Sequence, residues 1–195
     1  GINKMYLLME KQHNRGQDGA GFASIKLDVE PGKRFISRIR STEKQPIQDV
    51  FSKINERINK ELKSDPSLPV NIEKLKSKVP YIGEVLLGHV RYGTFGGNSV
   101  ENVHPFLRRN NWMHRNLILA GNFNMTNSKE LFESLVEIGQ HPKEYTDTVI
   151  IMEEIGHFLD NSVRKIRKDL KKIELSNDEI TKKISKKLDE FKILK

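Results

Sequence analysis

The sequence predicts an α+β protein. Two segments of alternating apolar residues, 22–27 and 34–40, flank the turn signal Pro31-Gly32 and predict a β-hairpin, which joins antiparallel strands. The strands farther along are irregularly spaced, whereas a parallel doubly wound sheet alternates regularly with helices. Of the 195 residues, 36% are hydrophobic and 31% are charged, which suits a globular protein with a real core.

The elements of the first half follow from hydrophobic periodicity. Met5, Leu8 and Met9 lie at helical spacing and predict a helix over residues 3–12. Pro46 precedes an amphipathic helix, which residues 64–69 end. The apolar stripe of that helix comprises Ile47, Val50, Phe51, Ile54, Ile58 and Leu62. Residues 85–92 predict a buried strand, which runs out into a glycine-rich loop.

The second half contains one more short buried strand, at residues 117–121, and several helices. Asn127, with Glu130 three residues on, predicts the start of a helix that ends at His141-Pro142. The next predicted helix covers residues 147–159, with Asp147 as its N-cap. The residues of the last two helical stripes are Val163, Ile166, Leu170 and Ile173, then Ile180, Ile184, Leu188 and Phe191. Ser176 and Glu179 form a capping box between these two helices.

This pattern divides the chain into a main domain, residues 1–160, and a basic two-helix tail or insertion, residues 161–195. The tail holds twelve basic and six acidic residues, against 22 and 20 in the rest, so most of the net charge of +8 belongs to it. A nucleic-acid site needs basic residues on one face with aromatic side chains to stack bases, and the tail offers only Phe191. A solvated helical face is therefore favoured over nucleic-acid binding.

Composition excludes several other classes. The chain has no cysteine, which excludes a disulfide scaffold and thiolate metal sites, and no spacing of His, Asp and Glu predicts another metal site. No apolar run is long enough to span a bilayer and no signal segment opens the chain, so we expect a cytoplasmic protein without membrane contact. Gly1 stands where a natural start would carry Met, so we expect a piece cut from a longer protein.

Three segments contain residue types that suit chemistry. Residues 12–21 hold three glycines within six positions, which indicates either a structural turn or the close approach of another segment or a ligand. Arg91, at the end of the strand over residues 85–92, suits bidentate binding of a carboxylate or pairing with a structural acid. His89 is interpreted as a hydrogen-bonded core histidine. The backbone and asparagine amides of residues 120–127 suit an oxyanion hole, or simply cap a helix.

In this order, the segments resemble the glutaminase domain of class II glutamine amidotransferases, in the N-terminal-nucleophile hydrolase superfamily. The family's HRGxDxAG, GHxRYxTxG, HNGNLTN and SDTE motifs have counterparts at residues 13–21, 88–96, 121–127 and 146–148. The resemblance spans about residues 5–155 and implies an αββα sandwich. Within the family, Gln17 and residues 102–106 look most similar to the amidophosphoribosyltransferase branch of purine synthesis.

The resemblance implies a substrate-binding role for five residues. Arg91 would bind the α-carboxylate of glutamine, with Thr94 beside it. Asp147 would pair with the α-ammonium group. Arg15 and Gly16 would belong to a loop that borders the pocket.

The resemblance also implies a catalytic apparatus. Asn122 would donate its side-chain amide, and Phe123 its backbone N–H, to the oxyanion of the tetrahedral intermediate. The family's nucleophile is an N-terminal cysteine that uses its own amino group as the base. Because that cysteine has no counterpart, we expect the sandwich to be incomplete, with the first strand and later strands missing, and this fragment alone to be inactive. Phe123 stands where glycine is usual, which predicts a strained positive φ.

The expected partners follow from the same resemblance. Glutamine is the small-molecule substrate, and its ammonia would pass to phosphoribosyl diphosphate in a downstream acceptor domain. No cofactor or metal is expected in this domain, and Mg²⁺ only in the phosphoribosyltransferase domain; a homo-oligomer is left open. The alternative is a decayed fold without catalysis that senses glutamine or binds a partner. That alternative rests on Phe123 and on Asn14, which is inserted between His13 and Arg15.

Overall fold

The computed structural model of the chain is α+β, as predicted. It describes residues 1–93, 99–172 and 175–190, without the side chains of residues 185 and 188–190. The helices are Ile2–Lys11 (α1), Pro46–Ser64 (α2), Ile72–Lys78 (α3), Ser128–Glu137 (α4), Asp147–Lys171 (α5) and Asn177–Glu190 (α6). The strands are Gly19–Ile25 (β1), Ile36–Ser41 (β2), Val85–Arg91 (β3), Phe106–Arg108 (β4) and Leu117–Leu119 (β5).

The chain forms two compact units, Gly1–Phe106 (unit 1) and Leu107–Lys195 (unit 2). Unit 1 contains a three-stranded antiparallel sheet in the order β2-β1-β3, and β1 and β2 form the predicted hairpin. However, β1 begins at Gly19, three residues before the predicted start. Of the three glycines that indicated either a turn or a close approach, Gly19 and Gly21 belong to the strand, and residues 103–105 pack directly against both.

The two faces of this sheet differ in chemistry. One face is apolar and packs against α1 and α2, and this core includes Phe22, Ile47, Val50, Phe51 and Ile54. Side chains alternate between the faces along a strand, so the residues between these apolar positions point the other way. The register places Gly19, Gly21 and Ala23 on the middle strand of that second face, with Arg38 and Arg40 on β2 and His89 and Arg91 on β3. We call the surface formed by Arg38, Arg40, His89 and Arg91 the basic face.

Unit 2 contains the β4-β5 pair, α4 and a helical hairpin of α5 and α6. The predicted end of a helix at residue 159 was wrong, because α5 continues to Lys171 with Val163, Ile166 and Leu170 buried along its second half. The proposed division at residue 160 falls inside this helix, and a separate role for residues 161–195 stays a prediction.

The hairpin of α5 and α6 packs on itself. Ile166 and Leu170 of α5 cluster with Ile180 and Ile184 of α6. The predicted capping box is present: Ser176 N donates to Glu179 Oε2 (3.0 Å) and Glu179 N to Ser176 Oγ (3.4 Å). Of the other predicted stripe residues, Ile173, Phe191 and the side chain of Leu188 lie outside the described part of the chain.

Three predicted helix ends need correction. α4 ends at Glu137, ahead of Gly139 with φ +86°, rather than at His141-Pro142. Thr146 is the N-cap of α5, since its side chain accepts from Val149 N, so the assignment of Asp147 was wrong by one residue. Asn127 does occupy the N-cap position of α4, but its side chain makes no capping hydrogen bond.

Two predicted strands are less buried than expected. The residues of β3 before Arg91 and all three residues of β5 are at most half-buried. Across the residues that the structure describes, no helix is both long and apolar enough to cross a membrane.

Candidate active site

Gly16 lies against the backbone of Arg91, and this contact brings two of the sequence motifs together in unit 1. A Cβ atom at Gly16 would lie 2.6 Å from the Arg91 carbonyl carbon and 2.8 Å from its nitrogen and oxygen. Two hydrogen bonds flank the contact: Asp18 N donates to Arg91 O (3.0 Å), and Gly93 N donates to Asp18 Oδ2 (2.7 Å). Residues 13–18 are therefore joined to the end of β3 by the packing of Gly16 and by two hydrogen bonds of Asp18, one from its backbone N–H and one to its carboxylate.

Among the predicted substrate-binding side chains that the structure describes, that of Arg91 is the most buried. The residue is 8% exposed and ends β3, opposite Gly19 of β1. Arg15, in contrast, is exposed at the end of a 3₁₀ turn formed by His13–Arg15, whereas Gly16 is buried against Arg91. Thr94 lies outside the described residues.

Residues 101–106 cover part of the basic face. Arg40 Nη1 donates to the carbonyls of Glu101 and Val103, both at 2.9 Å, and Arg38 Nη1 donates to the carbonyl of Pro105 at 3.2 Å. Gly21 lies so close to His104 that a Cβ atom there would overlap the His104 carbonyl. The two arginines and the glycine thus hold this segment across the sheet.

Two histidines lie beside Arg91 on this face. The rings of His89 and His104 stack with centroids 4.5 Å apart and an interplanar angle of 29°. Burial, followed by the charge of Arg91, lowers the pKa of His89. Burial, followed by His89, Arg91 and Arg40, lowers the pKa of His104 to about 4. Both imidazoles are therefore neutral at pH 7.

His89 does not match its sequence interpretation as a hydrogen-bonded core histidine. Its Nδ1 is buried and has no hydrogen-bond partner among the residues that the structure describes. The ring stacks on that of His104. His104 was not among the predicted site residues, because its local sequence does not show that it packs against β3.

In unit 2, a hydrogen bond connects the other two motifs. Met125 N donates to Asp147 Oδ2 at 2.8 Å, which connects the loop after β5 to the first residue of α5. Asp147 is half-buried, and the N-terminus of a helix favours a carboxylate. Asn122 is exposed.

Phe123 is not strained in the predicted way. Asp28 and Tyr81 are the non-glycine residues with positive φ in the described part of the chain, so Phe123 has an ordinary backbone conformation. Its ring lies over Gly121, where a Cβ atom would come within 2.5 Å of it. The expected strain was inferred from the glycine usual at this position, and that inference was wrong.

Sequence reasoning missed an ion cluster in unit 2. Arg108 Nε pairs with Glu153 Oε2 at 2.9 Å, and its Nη2 pairs with Asp160 Oδ2 at 2.7 Å. Gly156, between the two acids on α5, leaves room for the guanidinium. The spacing Glu153-Gly156-Asp160 on one helix face is the signal that could have revealed it. Within the described ranges, no group of three or more His, Asp or Glu residues is arranged to hold a metal ion.

The ordered motifs and the contacts between them define a class of protein. The chain belongs to the family of class-II glutamine amidotransferases, whose family model matches residues 51–188.

Individual relatives carry a more particular name. The chain is 33% identical over 159 residues to the amidophosphoribosyltransferase of Bacillus subtilis, covering 78% of this chain and 26% of that protein. It is 40% identical over 76 residues to the amidophosphoribosyltransferase of Lacticaseibacillus casei, covering 39% of this chain and 38% of that protein. The chain therefore spans well under half the length of these relatives.

A solved structure described as the allosteric regulatory enzyme of purine biosynthesis matches 95% of this chain and 30% of its own, with a TM-score of 0.52 at 22% identity. At that identity the likeness shows the fold alone. The strands and helices of the chain have the α+β architecture that the sequence predicts.

Proposed function

We propose that this chain is the glutaminase domain of an amidophosphoribosyltransferase-like enzyme of purine nucleotide biosynthesis. In this proposal, Arg91 binds the α-carboxylate of glutamine with Thr94 beside it, and Asp147 binds the α-ammonium group. Asn122 and the Phe123 N–H stabilise the oxyanion, while Arg15 and Gly16 border the pocket. Ammonia then passes to phosphoribosyl diphosphate in an acceptor domain of the complete protein.

The observation that carries the proposal is the contact of Gly16 and Asp18 with Arg91 and Gly93. Two motifs more than 70 residues apart in the chain meet through backbone atoms, which requires glycine at residue 16. The contact leaves a buried guanidinium at the end of a strand. Arginine presents a planar pair of N–H donors to a carboxylate, so this position suits the α-carboxylate of an amino acid.

Asp147 supports the recognition of the other end of glutamine. Among the described residues, Met125 N is the only hydrogen-bond donor to its carboxylate, and it uses Oδ2. The arrangement leaves Oδ1 for an ammonium group. The Asn122 amide, on an exposed loop, is able to turn toward a substrate oxygen, as an oxyanion donor must.

The glutaminase step proposed for this domain uses no cofactor or metal, because the family's nucleophile and base both belong to one N-terminal cysteine. This chain contains no cysteine, so we expect it to bind glutamine without hydrolysing it. In the alternative, the complete protein is a glutamine sensor that binds glutamine but does not hydrolyse it. Assay of the complete gene product for release of glutamate distinguishes the two.

Isothermal titration calorimetry tests the binding site. We expect L-glutamine to bind the chain more tightly than D-glutamine, and Arg91→Lys to weaken binding at least tenfold, because a single ammonium cannot form the bidentate pair. Arg109→Lys, a substitution at an exposed arginine, is the matched control and should bind as the parent chain does. Equal binding of the two enantiomers, or no effect of Arg91→Lys, would refute the proposal.

A further inference from the structure

The position of His104 is set from the far edge of the sheet. Arg38 and Arg40 of β2 donate to three carbonyls of residues 101–106, and none of these bonds involves the imidazole itself. The His104 ring is therefore carried on a backbone segment that is anchored on both sides of it. Phe106 adds an edge contact, with its ring centroid 4.9 Å from that of His104.

The position of His89 depends in turn on His104. Because the buried Nδ1 of His89 has no hydrogen-bond partner among the described residues, hydrogen bonding at that atom does not orient the ring. The ring stacks instead on that of His104, with the two centroids 4.5 Å apart. His89 and Arg91 lie two residues apart on the same face of β3, and the charge of Arg91 acts on the His89 imidazole, so the His89 ring is a neighbour of the Arg91 side chain on that face.

The charges around the stack explain why imidazole suits this place. Arg91 and His89 face His104 from β3, and Arg40 faces it from β2. The Glu101 carboxylate, on the covering segment, is engaged with the Ser99 hydroxyl. A neutral aromatic ring packs beside the guanidinium groups of Arg91 and Arg40 without repulsion, whereas a permanently positive side chain would be repelled by them.

We propose that His104 is a positioning residue for Arg91: by stacking on His89, it holds the neighbouring ring that orients the Arg91 guanidinium toward the substrate carboxylate. The inference rests on the proposed function, because it assigns to His104 a part in placing the residue that binds glutamine. His104 itself is not proposed to touch the substrate.

Two substitutions at the same position separate stacking from titration. His104→Phe keeps a flat ring on His89 and removes the nitrogens, whereas His104→Ala removes the ring. We expect His104→Ala to weaken L-glutamine binding about tenfold, since small misplacements of a binding group are costly, and His104→Phe to bind within about twofold of the parent chain. His141→Ala, at an exposed histidine of unit 2, serves as the control for loss of an imidazole.

A second measurement keeps the inference testable even if the chain fails to bind glutamine. The Nε–Hε NMR signal of Arg91 reports the surroundings of the guanidinium without any ligand. We expect it to shift or broaden in His104→Ala and to stay in place in His104→Phe, with the remaining amide signals of unit 1 unchanged in both.

The outcomes separate the two claims. Absence of glutamine binding in the parent chain would count against the proposed function alone. An unchanged Arg91 signal in His104→Ala would overturn the positioning role. So would a His104→Phe variant that perturbs Arg91 as strongly as His104→Ala does, because the stack alone would then not account for the effect.

Discussion

The two units hold their sequence motifs in different ways. In unit 1, Arg91 is buried at the end of a strand and fixed by Gly16 and Asp18 through backbone contacts. In unit 2, Asn122 lies on an exposed loop, and a hydrogen bond from Met125 N to Asp147 Oδ2 connects the two motifs. The predicted carboxylate-binding side is thus built into a sheet, and the predicted oxyanion side is carried by a loop.

This difference has a physical consequence. A side chain on a packed strand keeps its orientation before the ligand arrives, whereas a loop side chain loses conformational freedom on binding. Substitutions at the unit 1 contact should therefore change both stability and binding. Substitutions at the unit 2 loop should change binding with little change in stability.

The largest effect is expected for Gly16→Ala. The new Cβ would lie 2.6–2.8 Å from three backbone atoms of Arg91, so either the loop or the end of β3 must move. We expect a loss of about 3 kcal/mol in the free energy of unfolding of unit 1, together with loss of glutamine binding. Urea titration and calorimetry measure the two effects. Gln17→Ala, at the exposed neighbour, should change neither, and an equally stable Gly16→Ala would contradict the contact.

The next effect is expected at the ion cluster of unit 2. Arg108→Met leaves the carboxylates of Glu153 and Asp160 without their shared partner, in surroundings where these side chains are only about one-fifth exposed. We expect unit 2 to lose about 2 kcal/mol in its free energy of unfolding. Lys129→Met is the matched control, because Lys129 and Glu133 form a pair at 3.9 Å on an exposed surface. Similar losses in both variants would show that burial of the cluster is unimportant.

A smaller effect is expected from acid. In the folded chain the pKa of His104 is about 4, against 6.5 for an unperturbed histidine, so between these values the unfolded state binds more protons than the folded state. The contribution of neutral His104 to stability is complete above pH 6.5 and is lost as the pH falls toward 4. When the pH falls from 7 to 5, we expect the free energy of unfolding of His104→Phe to decrease by about 1 kcal/mol less than that of the parent chain. This value allows for solvent screening.

Urea unfolding of unit 1 at the two pH values measures this slope. His141→Phe, at an exposed position, should keep the slope of the parent chain. Identical slopes for the parent chain and His104→Phe would mean that His104 titrates in the folded state as it does in the unfolded state.

The smallest effect on stability is expected for Asp147→Asn. The amide oxygen still accepts from Met125 N, so the loop stays attached, and only the favourable charge at the start of α5 is lost. We expect a change of about 0.5 kcal/mol in the free energy of unfolding of unit 2, with much weaker glutamine binding because the ammonium partner has gone. Glu144→Gln, outside the helix, is a control for loss of one carboxylate. A large loss of stability would show that Asp147 has a structural role instead.

Sequence predicted the parts of the fold that short-range periodicity determines. The stripe of α2 is correct because Ile47, Val50, Phe51 and Ile54 lie on one face and are all buried. The hairpin of β1 and β2 follows from alternation around a turn. The long-range contacts were not predictable in this way, because Gly21 pairs with His89 in the sheet and packs on His104, more than 80 residues away.

The candidate site shows the same limit. Arg91 and Asp147 were singled out by motif order, and the structure places Gly16 against the first and Met125 against the second. The φ expected of Phe123 was wrong, since it depended on the loop geometry of other sequences. His104 acts through partners from distant segments, so no local pattern marks it. Arg108 itself is not marked either, and the signal of its cluster is the spacing of Glu153 and Asp160 on α5.

The most direct test of the account is ¹H–¹⁵N NMR of the chain during titration with L-glutamine. The account predicts saturable shifts at two groups of signals: Arg91 Nε–Hε with the Gly93 amide, and the Phe123 and Met125 amides. It also predicts no release of glutamate. L-Glutamine that leaves the Arg91 and Gly93 signals unmoved at millimolar concentration would contradict the central claim that this strand end binds the substrate carboxylate.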